Sequence, residues 1–367
     1  MPTLKRVLFT IVIIIALYLV NAFMSREGLF GFGFGAYPTD VLMTLTINII
    51  LAVSLNLITG FTGQFSIGHA GFMAIGAYSS AYLVVYHAQF WERDLAGAVG
   101  FTLAHSLIFV IAIAFGSLVA GLAGLLVGIP SLRLRGDYLA IVTLGFAEII
   151  RIVILNIDKV GGATGFSVPG YSNFIWVGGF AIISIVIVYN IVHSDIGRAL
   201  VSIREDELAA EAMGINTTRY KVLAFVISSA LAGLAGVLFG HYRQFLSTND
   251  FQFIRSFEII IMIVLGGLGS LTGAVLGAIV ITIMPELLRQ LPGDFSRYRL
   301  VVYSALLILI ILTRPQGILG TREFSLSWLK RARRRPEGNK AVGESGVPVA
   351  EKGPPSAIDR TKEMENR

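Results

Sequence analysis

The stretch FEIIIMIVLGGLGSLTGAVLGAIVITIMPELLR, residues 257–289, decides the topology of the chain. It is largely apolar, but Gly266-Gly267-Leu268-Gly269-Ser270 forms a turn-like interruption near its middle. If the stretch crossed a membrane once, the basic residues after it would lie outside, whereas a hairpin leaves them inside, as the positive-inside rule favours. We therefore predict a hairpin at 257–289, with the short first limb 257–269 as a half-helix or re-entrant segment.

The composition excludes most other classes of protein. Hydrophobic residues make up 55% of the 367 residues and charged residues 14%, whereas an ordinary soluble domain is about 25% charged. A soluble enzyme, a disordered chain and a nucleic-acid-binding protein are therefore excluded. The sequence has no cysteine, so disulfides, thiol catalysis and Cys-ligated zinc are absent.

Apolar runs long enough to cross about 30 Å of hydrocarbon recur along the chain. A segment in lipid must satisfy its own backbone hydrogen bonds, so these runs are helices. We predict an all-α, polytopic integral membrane protein of about ten transmembrane helices with both termini in the cytoplasm. Lys5 and Arg6 before the first run would also suit a signal peptide, but the length of the run favours an uncleaved helix. The predicted spans are 7–24, 41–59, 68–88, 98–128, 138–157, 174–192, 222–242, the hairpin 257–289 and 299–313.

The composition changes after the predicted transmembrane domain, 1–320. Residues 321–367 hold a basic cluster at 330–335 and then a Pro-, Gly-, Glu- and Lys-rich stretch of low apolar content. Such a composition is typical of disorder. We expect a cytoplasmic tail whose basic cluster contacts anionic lipid headgroups, and no nucleic-acid partner.

Polar residues between apolar runs mark a candidate translocation path. The stretch from Gly60 to His69 carries glycines and polar side chains without charge, which is typical of irregular backbone facing water or protein. It could instead be a tight cytoplasmic turn with a capping serine. No second ligand is spaced to join His69 in a metal site. The glycine turn at 266–270 is a faint echo of this stretch, as expected of two related halves. The candidate path residues are Asn56, Gln64, Ser66, His69, Gly266, Gly267, Gly269 and Ser270.

Small residues recur at every fourth position in three predicted helices. This spacing places them on one helix face, where two backbones can approach closely. The stripes therefore predict tight helix packing, or a seam along which helices slide. They are Gly116, Ala120, Gly124 and Gly128; Ala232, Gly236 and Gly240; and Gly269, Gly273 and Gly277.

Glu148 and Arg151 are three residues apart within a predicted span and can pair. The pair could be structural or could belong to a pathway or gate.

The main soluble segment between spans is 193–221, a cytoplasmic loop. We predict a helix from Ser202 to Met213 with its acids early, where the helix dipole favours them, and with Gly214 ending it. A short helix across the cytoplasmic surface could be bound by an ATPase partner, or it could be a solvated connector. The predicted ATPase-coupling residues are Glu205, Asp206, Glu207, Ala209, Ala210, Met213 and Gly214.

Several motifs together carry a family resemblance. The run Ala209-Ala210-Glu211-Ala212-Met213-Gly214 is similar to the Ala-Ala-x-x-x-Gly part of the cytoplasmic loop of ABC importers, although Leu208 stands where a Glu is expected. From about residue 40 to residue 320 the chain resembles the permease family of branched-chain amino acid ABC transporters. The motifs are GQFSIGHA (63–70), LRLRGDYLA (132–140), REDELAAEAMG (204–214), LGGLGS (265–270) and RPQG (314–317).

The resemblance implies a bacterial inner-membrane permease subunit for branched-chain amino acids. It implies a second homologous permease, two cytoplasmic ATPase subunits that bind ATP and Mg, and a periplasmic substrate-binding protein that docks near 158–173 and 243–256. The sequence has no G-x-x-x-x-G-K-[ST] motif, so ATP must be hydrolysed by another chain; we expect neither a cofactor nor a catalytic residue here. The alternatives are urea or short amides as substrate, an ion-coupled secondary transporter, and a channel.

Overall fold

The computed structural model describes residues 17–22, 35–88, 91, 100–132 and 137–289, together with 304–305, 308–309, 312–313 and 316–320. These residues are almost wholly helical, as predicted. The predicted spans 7–24 and 299–313 fall largely outside them, and the predicted tail 321–367 lies wholly outside.

Ten α-helices can be delimited among the described residues between 36 and 289, and two of them continue into a π-helical turn. α1 is Ala36–Asn56, followed by the π turn Leu57–Phe61; α2 is His69–Leu83, followed by Val84–Ala88. The next are α3 (Phe101–Ser131), α4 (Asp137–Leu155), α5 (Phe174–Val192), α6 (Asp195–Glu205) and α7 (Glu207–Ala212). The last are α8 (Thr217–Arg243), α9 (Phe253–Gly266) and α10 (Leu271–Arg289).

Six of the described helices are long and apolar enough to cross a membrane. The predicted count of about ten crossings includes spans outside the described residues and stays a prediction. The six are Tyr37–Phe61, Leu103–Ser131, Tyr138–Leu155, Phe174–Val192, Thr217–Arg243 and Leu271–Arg289.

The predicted span 68–88 is helical but is not one of these six. It is α2 with its π turn, and most of the α2 side chains are buried. α2 packs against α3 and α8. A helix surrounded by protein can carry small and polar residues such as Ser80, which is fully buried.

Close backbone contact holds this core together, and the small-residue stripes lie at the contacts as predicted. A Cβ on Gly236 of α8 would lie 2.0 Å from the carbonyl oxygen of Met73 in α2. One on Gly116 of α3 would lie 2.4 Å from a methyl group of Val237 in α8. One on Gly277 of α10 would lie 1.8 Å from a carbonyl oxygen of α9. The packing interpretation of the stripes is therefore confirmed.

The interruption in 257–289 is a break between two helices. α9 ends at Gly266, α10 begins at Leu271, and the two helices pack against each other. α9 starts at Phe253, four residues before the predicted limb, because Arg255 pairs with Glu258 at 2.7 Å and both charges can enter the helix. The re-entrant path of α9 through a membrane stays a prediction.

Candidate functional site

The end of α1 is joined to the break between α9 and α10 by one carboxamide. Asn56 is fully buried; its Nδ2 donates to the carbonyl oxygen of Ser270 at 2.9 Å, and its Oδ1 accepts the N–H of Gly269 at 3.1 Å. A carboxamide both donates and accepts, so it satisfies the N–H of Gly269 and gives the carbonyl oxygen of Ser270 a second donor beside the N–H of Ala274 in α10. Three predicted path residues, Asn56, Gly269 and Ser270, therefore meet.

Glycine makes this approach possible. A Cβ on Gly60, in the π turn after α1, would lie 1.9 Å from Oδ1 of Asn56 and 2.5 Å from the nitrogen of Gly269. Gly269 itself has φ +78° and Gly267 has φ +120°, backbone conformations that side-chain-bearing residues rarely adopt. A side chain at position 60 or 269 would push α1 away from the break.

A short segment near residue 318 completes the break. The N–H of Ile318 donates to the carbonyl oxygen of Leu265 at 2.8 Å, and the N–H of Leu319 donates to that of Gly266 at 3.2 Å. These are carbonyls of the last turn of α9, which a helix leaves unpaired. Sequence reasoning used RPQG (314–317) only for the resemblance and missed this role. The turn-forming Pro-Gln-Gly after a span was the available signal.

His69 lies inside the helix bundle rather than at its surface. It is 2% exposed, and its Nε2 is 2.8 Å from the hydroxyl oxygen of Ser54 in α1. The carbonyl oxygen of Ser54 in turn accepts a hydrogen bond from Ser228 of α8 at 2.6 Å. His69 thus connects α2 to α1 and, through Ser54, to α8.

The serine cap in the tight-turn alternative is wrong, whereas the cytoplasmic turn itself stays a prediction. α2 follows Gly68, which supplies no side-chain cap. The first-turn N–H of Ala70 is instead satisfied by the hydroxyl of Ser256 in α9, at 3.0 Å. Ser66, the serine expected to cap, is itself buried. The cap therefore comes from a distant helix, which no local pattern in the sequence could reveal.

Gln64 is the polar residue of this stretch with an unused acceptor. The residue is 7% exposed, and within the described part of the chain its Oε1 has no hydrogen-bond partner. A buried acceptor without a partner costs about 1–3 kcal/mol. This oxygen is therefore an unused hydrogen-bond acceptor in the interior of the protein.

The predicted helix from Ser202 to Met213 is two helices. α6 ends at Glu205 and α7 begins at Glu207, because Asp206 adopts extended φ and ψ and its carboxylate accepts the N–H groups of Leu208 and Ala209. Glu205 consequently lies at the end of α6, not among early acids. Gly214 follows α7 with φ +85°, as the predicted helix end requires.

α7 is fastened to the start of α8 on one side. Nζ of Lys221 lies 2.6 Å from Oε2 of Glu207, and Thr217 donates to Oε1 of Glu211 at 2.7 Å. Ala210 of α7 is 4% exposed, so its side chain is buried within the protein. The acids Glu207 and Glu211 therefore hold α7 in place, and sequence reasoning missed Lys221 because a basic residue there satisfies the positive-inside rule without any partner.

Two large apolar side chains are exposed in α7 and directly after it. Leu208 is 62% exposed and Met213 is 83% exposed. Both belong to one short segment, 207–213, which makes this segment a candidate interaction surface. Of the predicted coupling residues, Glu205, Asp206, Ala209, Met213 and Gly214 are exposed.

The two loops near 158–173 and 243–256 come together at the other end of α8. Phe166–Ser167 (β1) pairs antiparallel with Phe245–Leu246 (β2), and the N–H of Val168 donates to the carbonyl oxygen of Gln244 at 2.9 Å. A Cβ on Gly165 would lie 2.3 Å from the ring of Phe245. Two segments predicted separately therefore form one surface.

Two ion pairs lie within the apolar helices α4 and α9. Arg151 Nε lies 2.7 Å from Glu148 in α4, and both side chains are partly exposed, which supports the structural interpretation of this pair. Arg255 of α9 pairs with Glu258 and also donates to Oδ1 of Asn48 in α1 at 2.5 Å.

Comparisons with known proteins agree on one family. The family model described as "Branched-chain amino acid transport system / permease component" matches residues 37–311. The high-affinity branched-chain amino acid transport system permease protein LivM of Escherichia coli is 33% identical over 355 residues, 86% of this chain and 76% of that protein. LivM of Salmonella typhimurium is 35% identical over 318 residues, 76% of this chain and 69% of that protein. LivH of Escherichia coli is 29% identical over 293 residues, 75% and 91% of the two chains.

Proposed function

The chain belongs to the branched-chain amino acid transport permease family, and on that premise we propose that it is the membrane permease subunit of an ABC importer. It forms a translocation path together with a second, homologous permease subunit. The observation that carries the proposal is the family match over 37–311. The sequence has no P-loop, so two separate ATPase subunits bind ATP and Mg and hydrolyse the nucleotide.

The ATPase subunits dock on α7 in this proposal. Leu208 and Met213 are the exposed apolar side chains of that surface, and Lys221 and Glu207 fasten α7 to α8. A displacement of α7 is then passed to the start of α8, a helix that runs through the core. ATP binding biases a two-state equilibrium of the helices, with no chemistry in this chain.

The substrate-binding protein docks at the surface of β1 and β2, at the other end of α8. In this proposal the chain lies in a bacterial inner membrane. α7, both termini and the basic tail are on the cytoplasmic side. Gln64, with its unpartnered buried oxygen, belongs to the polar lining beside the glycine breaks.

Branched-chain amino acids, leucine, isoleucine or valine, are the proposed substrates, and urea or a short amide is the alternative. The experiment is uptake into vesicles containing the complete complex, with ATP inside and the cognate loaded binding protein outside. We expect leucine uptake that requires both ATP and the binding protein. The matched control omits only the binding protein.

Two outcomes would contradict the proposal in different ways. Urea uptake without leucine uptake would overturn the substrate. Leucine uptake that follows an ion gradient and needs no ATP would make the chain a secondary transporter. That class uses acids or histidines buried near the bilayer midplane, whereas the acids Glu148 of α4 and Glu258 of α9 are partly exposed.

A further inference from the structure

Arg204, in the last turn of α6, lies where three separate segments of the chain meet. Its Nη1 donates to the carbonyl oxygen of Gly60, in the π turn after α1, at 3.1 Å. Its alkyl stem lies against Gly63, where a Cβ would be 2.8 Å from Cγ of the arginine. The same Nη1 would be 2.7 Å from a Cβ on Gly269, in the break between α9 and α10.

The guanidinium group is held in one orientation. Nη2 and Nε both donate to Oε1 of Glu205, at 2.5 and 3.1 Å. The planar fork of arginine fixes the directions of its donors. Because Glu205 occupies one edge of the fork, Nη1 is aimed at Gly60 and at the break beyond it. The side chain is only 28% exposed, so water competes weakly for these donors.

Helix electrostatics favour a cation at this place. α1 with its π turn ends beside Arg204, and α9 ends at Gly266 close to the same break. Each helix C-terminus carries a partial charge of about −0.5, so two converging ends attract roughly one unit of positive charge. Arg204 supplies that charge from a different segment, the loop that contains α6 and α7.

Glycines line the site where the arginine approaches the end of α1 and the break. Side chains at positions 60, 63 or 269 would occupy the space of Asn56, of the arginine stem or of its guanidinium group. Asn56 clamps the same break to α1 through its two hydrogen bonds. The end of α1, the break and α6 therefore form one contiguous contact, which Arg204 joins from α6 through its hydrogen bond to Gly60.

We infer that Arg204 is the positioning residue through which movement of α6 and α7 reaches the glycine breaks. This inference rests on the proposed ABC importer function. When an ATPase displaces α7, α6 carries the guanidinium group with it. The hydrogen bond to Gly60 then pulls or releases the end of α1 and the break together.

The test uses the complete complex of both permease subunits and both ATPase subunits in lipid vesicles. It measures ATP hydrolysis with and without loaded binding protein in the unmodified complex and in Arg204→Gln, Arg204→Lys and Arg198→Gln variants. Arg198 is the matched control, since it lies on the same helix and its ion pair with Asp195 is exposed. Assembly of each variant is checked by copurification of all subunits.

We expect Arg204→Gln to assemble and its stimulation by binding protein to fall about tenfold, which is the loss expected for one hydrogen bond from a charged donor. Arg204→Lys should recover part of the stimulation, because an ammonium group can still donate to Gly60. Arg198→Gln should match the unmodified complex.

Full stimulation in Arg204→Gln would overturn the inference, as would failure of both Arg204 variants to assemble, which would make the residue purely structural. If only the lysine variant assembles, its stimulation decides: a reduced value supports the inference and a full value contradicts it. If the unmodified complex itself is not stimulated, the proposed function fails, and this inference fails with it.

Discussion

Substituting Glu207 should destabilise the protein more than substituting Lys221, although either change breaks the ion pair between them. The Lys221 side chain is 5% exposed, whereas that of Glu207 is 28% exposed. Glu207→Gln leaves a buried ammonium group without its counter-charge. Lys221→Met leaves a carboxylate that water can partly solvate, and methionine fills much of the volume of the lysine stem.

The magnitude follows from this asymmetry. Removing one partner of a buried ion pair costs about 3–5 kcal/mol, because the remaining charge is uncompensated. We expect Glu207→Gln to cost about 3 kcal/mol and Lys221→Met about 1 kcal/mol, since exposure discounts the second. The double variant has no orphaned charge, so it should be no less stable than Lys221→Met alone. The double variant should therefore lose about 3 kcal/mol less stability than the sum of the two single variants.

The assay is unfolding of the detergent-solubilised protein, followed by circular dichroism for all four members of the cycle. The expected order of midpoints places Glu207→Gln lowest, with Lys221→Met and the double variant close together above it. Asp195→Asn provides the control, because its ion pair with Arg198 is exposed and should be worth at most about 1 kcal/mol. Additive effects, or equal losses from the two single substitutions, would refute the argument that the buried charge dominates.

Three further outcomes are expected. Leu208→Glu should insert and fold normally but should reduce copurification of the ATPase subunits, because a charge replaces an exposed apolar contact; unchanged copurification would remove this side chain from the docking surface. Gly236→Ala should lower the free energy of unfolding by about 1–3 kcal/mol through overpacking, because its Cβ would lie 2.0 Å from a carbonyl oxygen of α2. The unfolding midpoint should fall accordingly. Gly145→Ala is the control, because its Cβ would meet nothing within 4 Å and its midpoint should not change. The native chain has no cysteine, so a cysteine at Gly338 should react only with reagents that reach the cytoplasm and one at Gln290 only from outside; external labelling at 338 would contradict the hairpin topology.

The correspondence between sequence and structure was good wherever the determining interactions are local. The glycine turn at 266–270 predicted a break, and the helices end and begin there because glycine lacks a side chain to pack and Gly267 and Gly269 adopt positive φ. Gly214 ends α7 for the same reason. The segment 202–213 was predicted as one helix and is two. Asp206 can act either as an acid in a first turn or as an N-cap, and both are favourable near a helix start.

Composition and the length of the apolar runs alone indicated a helical membrane protein, because each run must satisfy its own backbone hydrogen bonds in lipid and a helix does so. Tertiary structure alone decided which polar groups meet. Asn56 reaches Ser270 across 214 positions, and Arg204 reaches Gly60 across 144. Hydropathy describes how apolar a residue is, but it does not identify the hydrogen-bond partner of a buried polar group. A buried donor finds its acceptor only when the helices have packed, and the glycines that permit that approach look alike in the sequence whether or not a side chain lies opposite them.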